Sequence, residues 1–472
     1  MKRAQNTAWL LLAVLALILP ILFDIGGPNL TFPGEIALGI FLMAAILWIS
    51  EAVPIWSTSL LVIGLQVILL SDQSLLLNQT HLDAYPAYGY RDFYANLAHP
   101  IIILFLGGFF LAAAAVKFRL DKNLTRLLLG FFGRKPSNVL LGLLISTGLL
   151  SAFMSNTATS AMMITVLIPI MAKLKPKDPL KLALALAIPC GANIGGVATP
   201  IGTPPNAVVL GALAKQGITI GFAQWMLLAV PIVVVMIFIT WWLLIALFPT
   251  ESKRIEIEFD EGWDRSPQAI QTYVIFGITI LLWVTDSLHG VSSTIVAFFP
   301  IAAMSLLGIV TKADLKKFSW DVLWLVAGGI SLGLTMNFEG GPAPWLISLV
   351  QWNAFSPFLI VLLLGLVGYV LSNLISNTVA ATILIPIAIT MGVSGAVGAE
   401  FNFTLASIFI GIMVSFSMLL PISTPPNAIA MSTGLLETKD LRRIGIFVGI
   451  AGFAVNLIAA LFLWKWLAPT LF

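Results

Sequence analysis

The residues of this chain best placed to do chemistry are uncharged. Ser155-Asn156-Thr157 is followed by Thr203-Pro204-Pro205-Asn206, and Ser376-Asn377-Thr378 by Thr424-Pro425-Pro426-Asn427. Each motif recurs after 221 positions, and Gly107-Gly108 stands in the same relation to Gly328-Gly329. Ser, Asn and Thr satisfy free backbone N–H groups at the start of a helix. Apolar runs follow at 158–172 and 379–391, so each tripeptide is expected at a helix N-terminus. That end carries partial positive charge and unpaired donors, which favour an anion. The Thr-Pro-Pro-Asn elements offer the opposite chemistry. Two consecutive prolines withhold two amide donors and break a helix. The carbonyls of Pro200 and Ile201, and of Pro421 and Ile422, are then left without partners. Unwound carbonyls beside helix ends can hold Na⁺.

Charge decides what such a site can take. No Lys, Arg, His, Asp or Glu occurs in 146–166, 190–213, 367–387 or 413–436. An anion held there has no cationic side chain to neutralise it, and an isolated charge in low dielectric is prohibitive, so bound cations must compensate it. Carbonyl, hydroxyl and amide oxygens are hard ligands suited to Na⁺ and unsuited to zinc or copper. The pattern points to an anion bound together with two or more Na⁺. A single tripeptide of this kind would read as polar glue between membrane helices, and a single Pro-Pro as a kink. Two pairs at one common offset do not.

Composition sets the surroundings. Of 472 residues, 59% are hydrophobic and only 10% charged, with mean hydropathy +1.02. A soluble domain carries roughly 25% charged residues, so lipid is the solvent for most of this chain. A net charge of +3 implies no nucleic-acid partner. Cys190 reads as a packing residue. His81, His99 and His289 form no metal-ligand pattern, and no acid, base or nucleophile cluster suggests an enzyme.

Crossing about 30 Å of hydrocarbon takes roughly 20 apolar residues. Runs near 8–23, 35–50, 54–71, 99–118, 180–214, 223–248, 270–285, 291–310, 321–337, 403–436 and 444–467 predict eleven transmembrane helices. The stretches 137–173 and 342–392 are each split by a Ser-Asn-Thr tripeptide and predict two re-entrant helical hairpins. Lys2 and Arg3 before the first run fit an uncleaved first helix. With the amino terminus in the cytoplasm, 21 basic residues fall inside; only Arg91, Lys215 and Lys465 fall outside. That is the bias expected of a multi-pass protein, and it puts the carboxyl terminus outside. The two hairpins then open from opposite sides, giving an all-α inverted-topology repeat. Loop 249–268, with Glu251, Glu256, Glu258, Asp260 and Glu261, reads as a cytoplasmic linker. Loop 72–98 is exterior, with Tyr85, Tyr88, Tyr90 and Tyr94 at the interface. Glu51, Asp24 and Asp286 are placed at helix ends.

At these motifs the sequence resembles the divalent anion/sodium symporter family, which includes sodium-coupled dicarboxylate transporters. The resemblance runs from 41–54 through Phe105-Leu106-Gly107-Gly108-Phe109 to the last helices. It implies a homodimer in the cell membrane, built from a scaffold (1–118 and 269–341) and a transport domain (119–248 and 342–472) that moves as an elevator. It implies one Na⁺ site at Ser151, Ser155, Asn156 and the Gly202 carbonyl. A second is implied at Ser372, Asn377 and the carbonyls of Ile375 and Ser423. Substrate carboxylates would meet Asn156, Thr157 and Thr203 on one side and Asn377, Thr378 and Thr424 on the other, with Pro204 and Pro425 shaping the walls. Thr203, Ser423 and Ser372 replace residues more usual in the family but keep oxygen ligands. The expected function is Na⁺-coupled import of a C4-dicarboxylate such as succinate, malate or fumarate. The alternatives are a Na⁺-independent dicarboxylate, citrate or 2-oxoglutarate exchanger and a Na⁺/sulfate symporter. An ion channel is the rival from another class.

Overall fold

The computed structural model describes residues 2–77, 85, 88–175, 178–250, 252–255, 262–398, 400–464 and 466–467. His81, Lys177, Lys465 and the linker acids Glu251, Glu256, Glu258, Asp260 and Glu261 lie outside them. Among the described residues all regular structure is helical, and eight helices are long and apolar enough to cross a membrane.

The chain opens with α1 (Lys2–Phe23), α2 (Phe32–Ser50), α3 (Ile55–Leu70) and α4 (Pro100–Lys117). After them come α5 (Leu120–Phe132), the hairpin pair α6 (Pro136–Phe153) and α7 (Asn156–Ala172), then α8 (Leu180–Gly196) and α9 (Pro204–Ala214). α10 (Phe222–Leu247) closes the first copy. The second contains α11 (Pro267–Val284), α12 (Phe298–Leu306) and α13 (Trp320–Leu334). It continues with α14 (Pro342–Ser348), the hairpin pair α15 (Pro357–Leu374) and α16 (Asn377–Val393), α17 (Phe403–Ser415), α18 (Pro425–Ser432) and α19 (Thr438–Ile458). Every run expected to cross contains a helix, and 180–214 and 403–436 each contain two separated by an unwound stretch. Some helices start where a capping oxygen meets a proline. Ser266 and Ser356 accept hydrogen bonds from Ala269 N and Leu359 N, with Pro267 and Pro357 in the first turn, where a missing N–H costs nothing.

Two expectations need correction. The second hairpin spans 357–393, not 342–392, because the Ser356-Pro357 cap starts a new helix. α14 stands apart, at the chain position that amphipathic α5 holds in the first copy. Tyr85 does not lie at the interface. It is buried and packs edge-on against Phe338, with ring centroids 4.8 Å apart, as the cap of an aromatic cluster. Tyr94 is exposed. Glu51 and Asp24 do end helices, both with positive φ. Asp286 accepts from Phe222 N at 2.6 Å and so caps α10 from a distance.

The two copies interlock. α9 packs against α16 of the second hairpin, and α18 packs against α7 of the first. Each broken crossing therefore rests on the other copy's hairpin, which brings the four motifs to one place. Within the first copy α8 lies close along α6. A Cβ at Gly195 would sit 2.2 Å from Gly148 Cα, whereas one at Gly148 would meet nothing nearer than 3.4 Å. Gly195→Ala is expected to destabilise the detergent-solubilised protein by about 1–3 kcal/mol, the usual cost of overpacking. Gly148→Ala should leave its thermal unfolding nearly unchanged. Equal effects of the two substitutions would contradict this account of the crossing.

Candidate functional site

Each tripeptide is positioned by its own serine. Ser155 Oγ accepts from Ala158 N at 3.2 Å and Ser376 Oγ from Val379 N at 3.3 Å, so α7 and α16 begin at Asn156 and Asn377. The residue before each Pro-Pro is forced away from helical geometry. Thr203 and Thr424 accordingly share φ −145°, with ψ 143° and 147°. Proline cannot donate to the carbonyls four residues earlier. Among the described residues those of Pro200, Ile201, Pro421 and Ile422 accept no hydrogen bond.

These elements enclose a cavity of about 190 Å³. Asn156, Thr157, Thr203, Pro204, Asn377, Thr378, Thr424 and Pro425 all line it, as do Ser155, Gly202, Ser376 and Ser423. The opposite wall is largely apolar: Ile55 of α3, Phe105 and Phe109 of α4, and Val322 and Leu325 of α13, with Ser319 beside them. Among the described residues none of the lining side chains is charged. At about 30 Å³ per water, the space equals roughly six water molecules, the scale of a small organic anion.

Behind the polar wall lie two oxygen clusters. Ser151 Oγ is 2.5 Å from the Asn156 carboxamide and donates to Ala192 O at 2.9 Å. The same amide end faces Gly202 O at 3.0 Å and Ala192 O at 3.2 Å. Turned with its nitrogen inward, Asn156 donates to these oxygens. Turned with its oxygen inward, it accepts from Ser151 and joins Gly202 O and Ala192 O in a cluster of oxygens that a cation could bridge. In the second copy Ser372 Oγ is 2.6 Å from Asn377 Oδ1 and 2.8 Å from Val414 O. Ile375 is the extended residue between the arms, and Ser423 Oγ donates to Asn373 O at 3.1 Å. Ser151, Ser372 and Ile375 do not line the cavity; the two serines reach Asn156 and Asn377 from behind.

Two asparagines shape the site beyond the ligands expected from the sequence: Asn206, within its motif, and Asn193, outside every motif. Asn206 donates to the carbonyls of Gly196, Val197 and Thr199 at 3.2, 3.3 and 2.8 Å and so holds the first break open. Thr199 Oγ1 in turn donates to Ala152 O and ties that break to the hairpin. Asn193 lines the cavity but has no counterpart 221 positions on, where Val414 stands. Repeat logic passes over it; the only signal was a lone amide in a run of small apolar residues.

A broken-helix repeat around an uncharged polar cavity, embedded in apolar crossings, is the build of a membrane transporter. The comparisons agree. Residues 5–470 match the family model described as the sodium:sulfate symporter transmembrane region. The chain belongs to this family, that of the divalent anion/sodium symporters, and the protein is a multi-pass membrane transporter. It is 30% identical to the sodium-dependent dicarboxylate transporter SdcS of Staphylococcus saprophyticus, over 92% of this chain and 87% of the relative. The SdcS protein of Staphylococcus aureus strain USA300 is also 30% identical, over 96% of this chain and 88% of its own length. Among solved structures, the YdaH transporter of Alcanivorax borkumensis shares the fold. Its TM-score is 0.53 at 13% identity, covering 92% of this chain and 98% of that one.

The bracing role of Asn206 can be tested apart from transport. Asn206→Leu removes three hydrogen bonds and strands Gly196 O, since Val197 O still accepts from Trp225 Nε1 and Thr199 O from Gly202 N; Asn427→Leu removes its one bond to a backbone carbonyl, and Leu420 O keeps Ser423 N. An unsatisfied buried acceptor costs about 1–3 kcal/mol. The unfolding temperature in Na⁺-free detergent should fall further for Asn206→Leu than for Asn427→Leu. The reverse order would contradict the assignment.

Proposed function

We propose that this protein imports C4-dicarboxylates such as succinate, malate or fumarate by symport with two or more Na⁺. The observation that carries the reading is the cavity itself: paired hydroxyl and amide donors, two flanking oxygen clusters, and no charged side chain. The diacid carboxylates sit on Asn156, Thr157 and Thr203 at one end and Asn377, Thr378 and Thr424 at the other, between Pro204 and Pro425. One Na⁺ takes the oxygens of Ser151, Ser155, Asn156 and Gly202. Another takes those of Ser372, Ile375, Asn377 and Ser423. The sodium-dependent dicarboxylate transporters among the relatives support this choice of cargo.

Coupling follows from charge. The anion lacks a countercharge until Na⁺ arrives, and each Na⁺ is held only by neutral oxygens, so each cargo stabilises the other. The movement proposed is an elevator within a homodimer in the cell membrane. Segments 119–248 and 342–472 travel against a scaffold of 1–118 and 269–341, joined through the cytoplasmic linker 249–268. Its support is the two-sided cavity. Apart from Ser319, all the polar lining comes from the travelling segments, and the scaffold contributes Ile55, Phe105, Phe109, Val322 and Leu325, which are apolar. A polar site sliding over an apolar wall leaves few broken hydrogen bonds behind. The basic-residue bias supports a cytoplasmic amino terminus and an exterior carboxyl terminus.

Purified protein in liposomes should accumulate labelled succinate under an inward Na⁺ gradient, with malate and fumarate competing and sulfate not. Uptake that persists when choline replaces Na⁺ would contradict the coupling, and competition by sulfate alone would contradict the choice of anion. Removing one ion ligand by Ser151→Ala or Ser372→Ala should raise the half-saturating Na⁺ concentration by about tenfold, equivalent to about 1.4 kcal/mol.

A further inference from the structure

The cavity is built by a repeat, yet its two ends differ, and the difference is Asn193. This side chain is 1% exposed and lines the cavity. Its amide nitrogen donates to Thr424 Oγ1 at 3.1 Å. The neighbours set the direction of that bond. Asn427 Nδ2 donates to Leu420 O at 2.9 Å, so Asn427 turns its oxygen toward Asn193 Nδ2, 3.5 Å away. Asn193 must therefore present its nitrogen on this side.

A threonine hydroxyl has one hydrogen and two lone pairs. With one lone pair taken by Asn193, the Thr424 hydrogen is left for the cavity, and among the described residues it has no other acceptor. A hydroxyl polarised in this way donates more strongly in a low-dielectric site. Thr203 adopts nearly the same backbone geometry but lacks that support. Val414, 221 positions after Asn193, has no side-chain donor, and its carbonyl accepts from Ser372 at 2.8 Å. The Asn193 amide also carries a cost, because its Oδ1 is buried with no partner among the described residues. A valine, as in the second copy, would avoid that cost.

We propose that Asn193 is a positioning residue that acts through Thr424 and makes the Thr424 end of the cavity the stronger carboxylate seat. The proposal rests on the reading of the cavity as a diacid site. It implies that a diacid with unlike ends binds in one preferred orientation.

The test is succinate uptake into proteoliposomes at saturating Na⁺, for wild type, Asn193→Val, Thr424→Val and the double variant. Asn193→Leu, close in shape to asparagine, stands in should the valine variant not fold. Loss of the polarised donor should raise KM about tenfold, with maximal rate within about twofold and the half-saturating Na⁺ concentration unchanged. The double variant should be no worse than Thr424→Val alone, whereas Asn193→Val combined with Thr203→Val should show additive losses. A wild-type KM in the Asn193 variants, or additive losses with Thr424→Val, would overturn the proposal. Failure of the wild-type protein to take up any diacid would instead sink the reading on which it rests.

Discussion

An anion that leaves water for a cavity without cationic side chains must bring its own countercharge. The rest of this structure serves that constraint. Desolvating a carboxylate costs several kcal/mol or more even in a real protein interior. Helix N-termini and neutral donors recover only part of it: a helix end contributes about 0.3–2 kcal/mol. The remainder has to come from cations seated close by. A fixed lysine or arginine would hold the anion in every state and would uncouple it from the ion gradient. On the proposed reading, its absence from the described lining makes Na⁺ a condition of binding.

The fold meets this requirement with local devices used twice. A Ser cap starts a helix at an Asn whose carboxamide faces an oxygen cluster, and a Pro-Pro pair denies two carbonyls their partners. Neither device completes a site alone. The interlocking does, because α9 rests on α16 and α18 on α7. Asn206 keeps the first break from collapsing, and glycines such as Gly195 let the helices approach closely enough to place it. The apolar face of α3, α4 and α13 closes the cavity without adding charge.

Much of this was legible in the sequence because it depends on local rules. Caps, proline breaks and apolar runs act within a few residues, and a repeat offset shows which local features belong together. The hairpins, the breaks and the cavity residues could be read in that way. What escaped depends on contacts between segments far apart in the chain. Asn193 reaches Thr424 across 231 positions, and Tyr85 packs under Phe338. No spacing rule announces either contact. The start of the second hairpin was misread for a local reason: the apolar residues of α14 blur into α15 unless the Ser356-Pro357 cap is given weight.

The most direct measurement of the central claim is equilibrium binding, free of any translocation step. Succinate affinity for the purified protein, titrated by calorimetry over a range of Na⁺ concentrations with choline holding ionic strength constant, reports the linkage between the two cargoes. The account predicts that affinity rises steeply with Na⁺, with a log–log slope above one, and that no binding is detectable in choline alone. Succinate binding of equal strength with and without Na⁺ would contradict it.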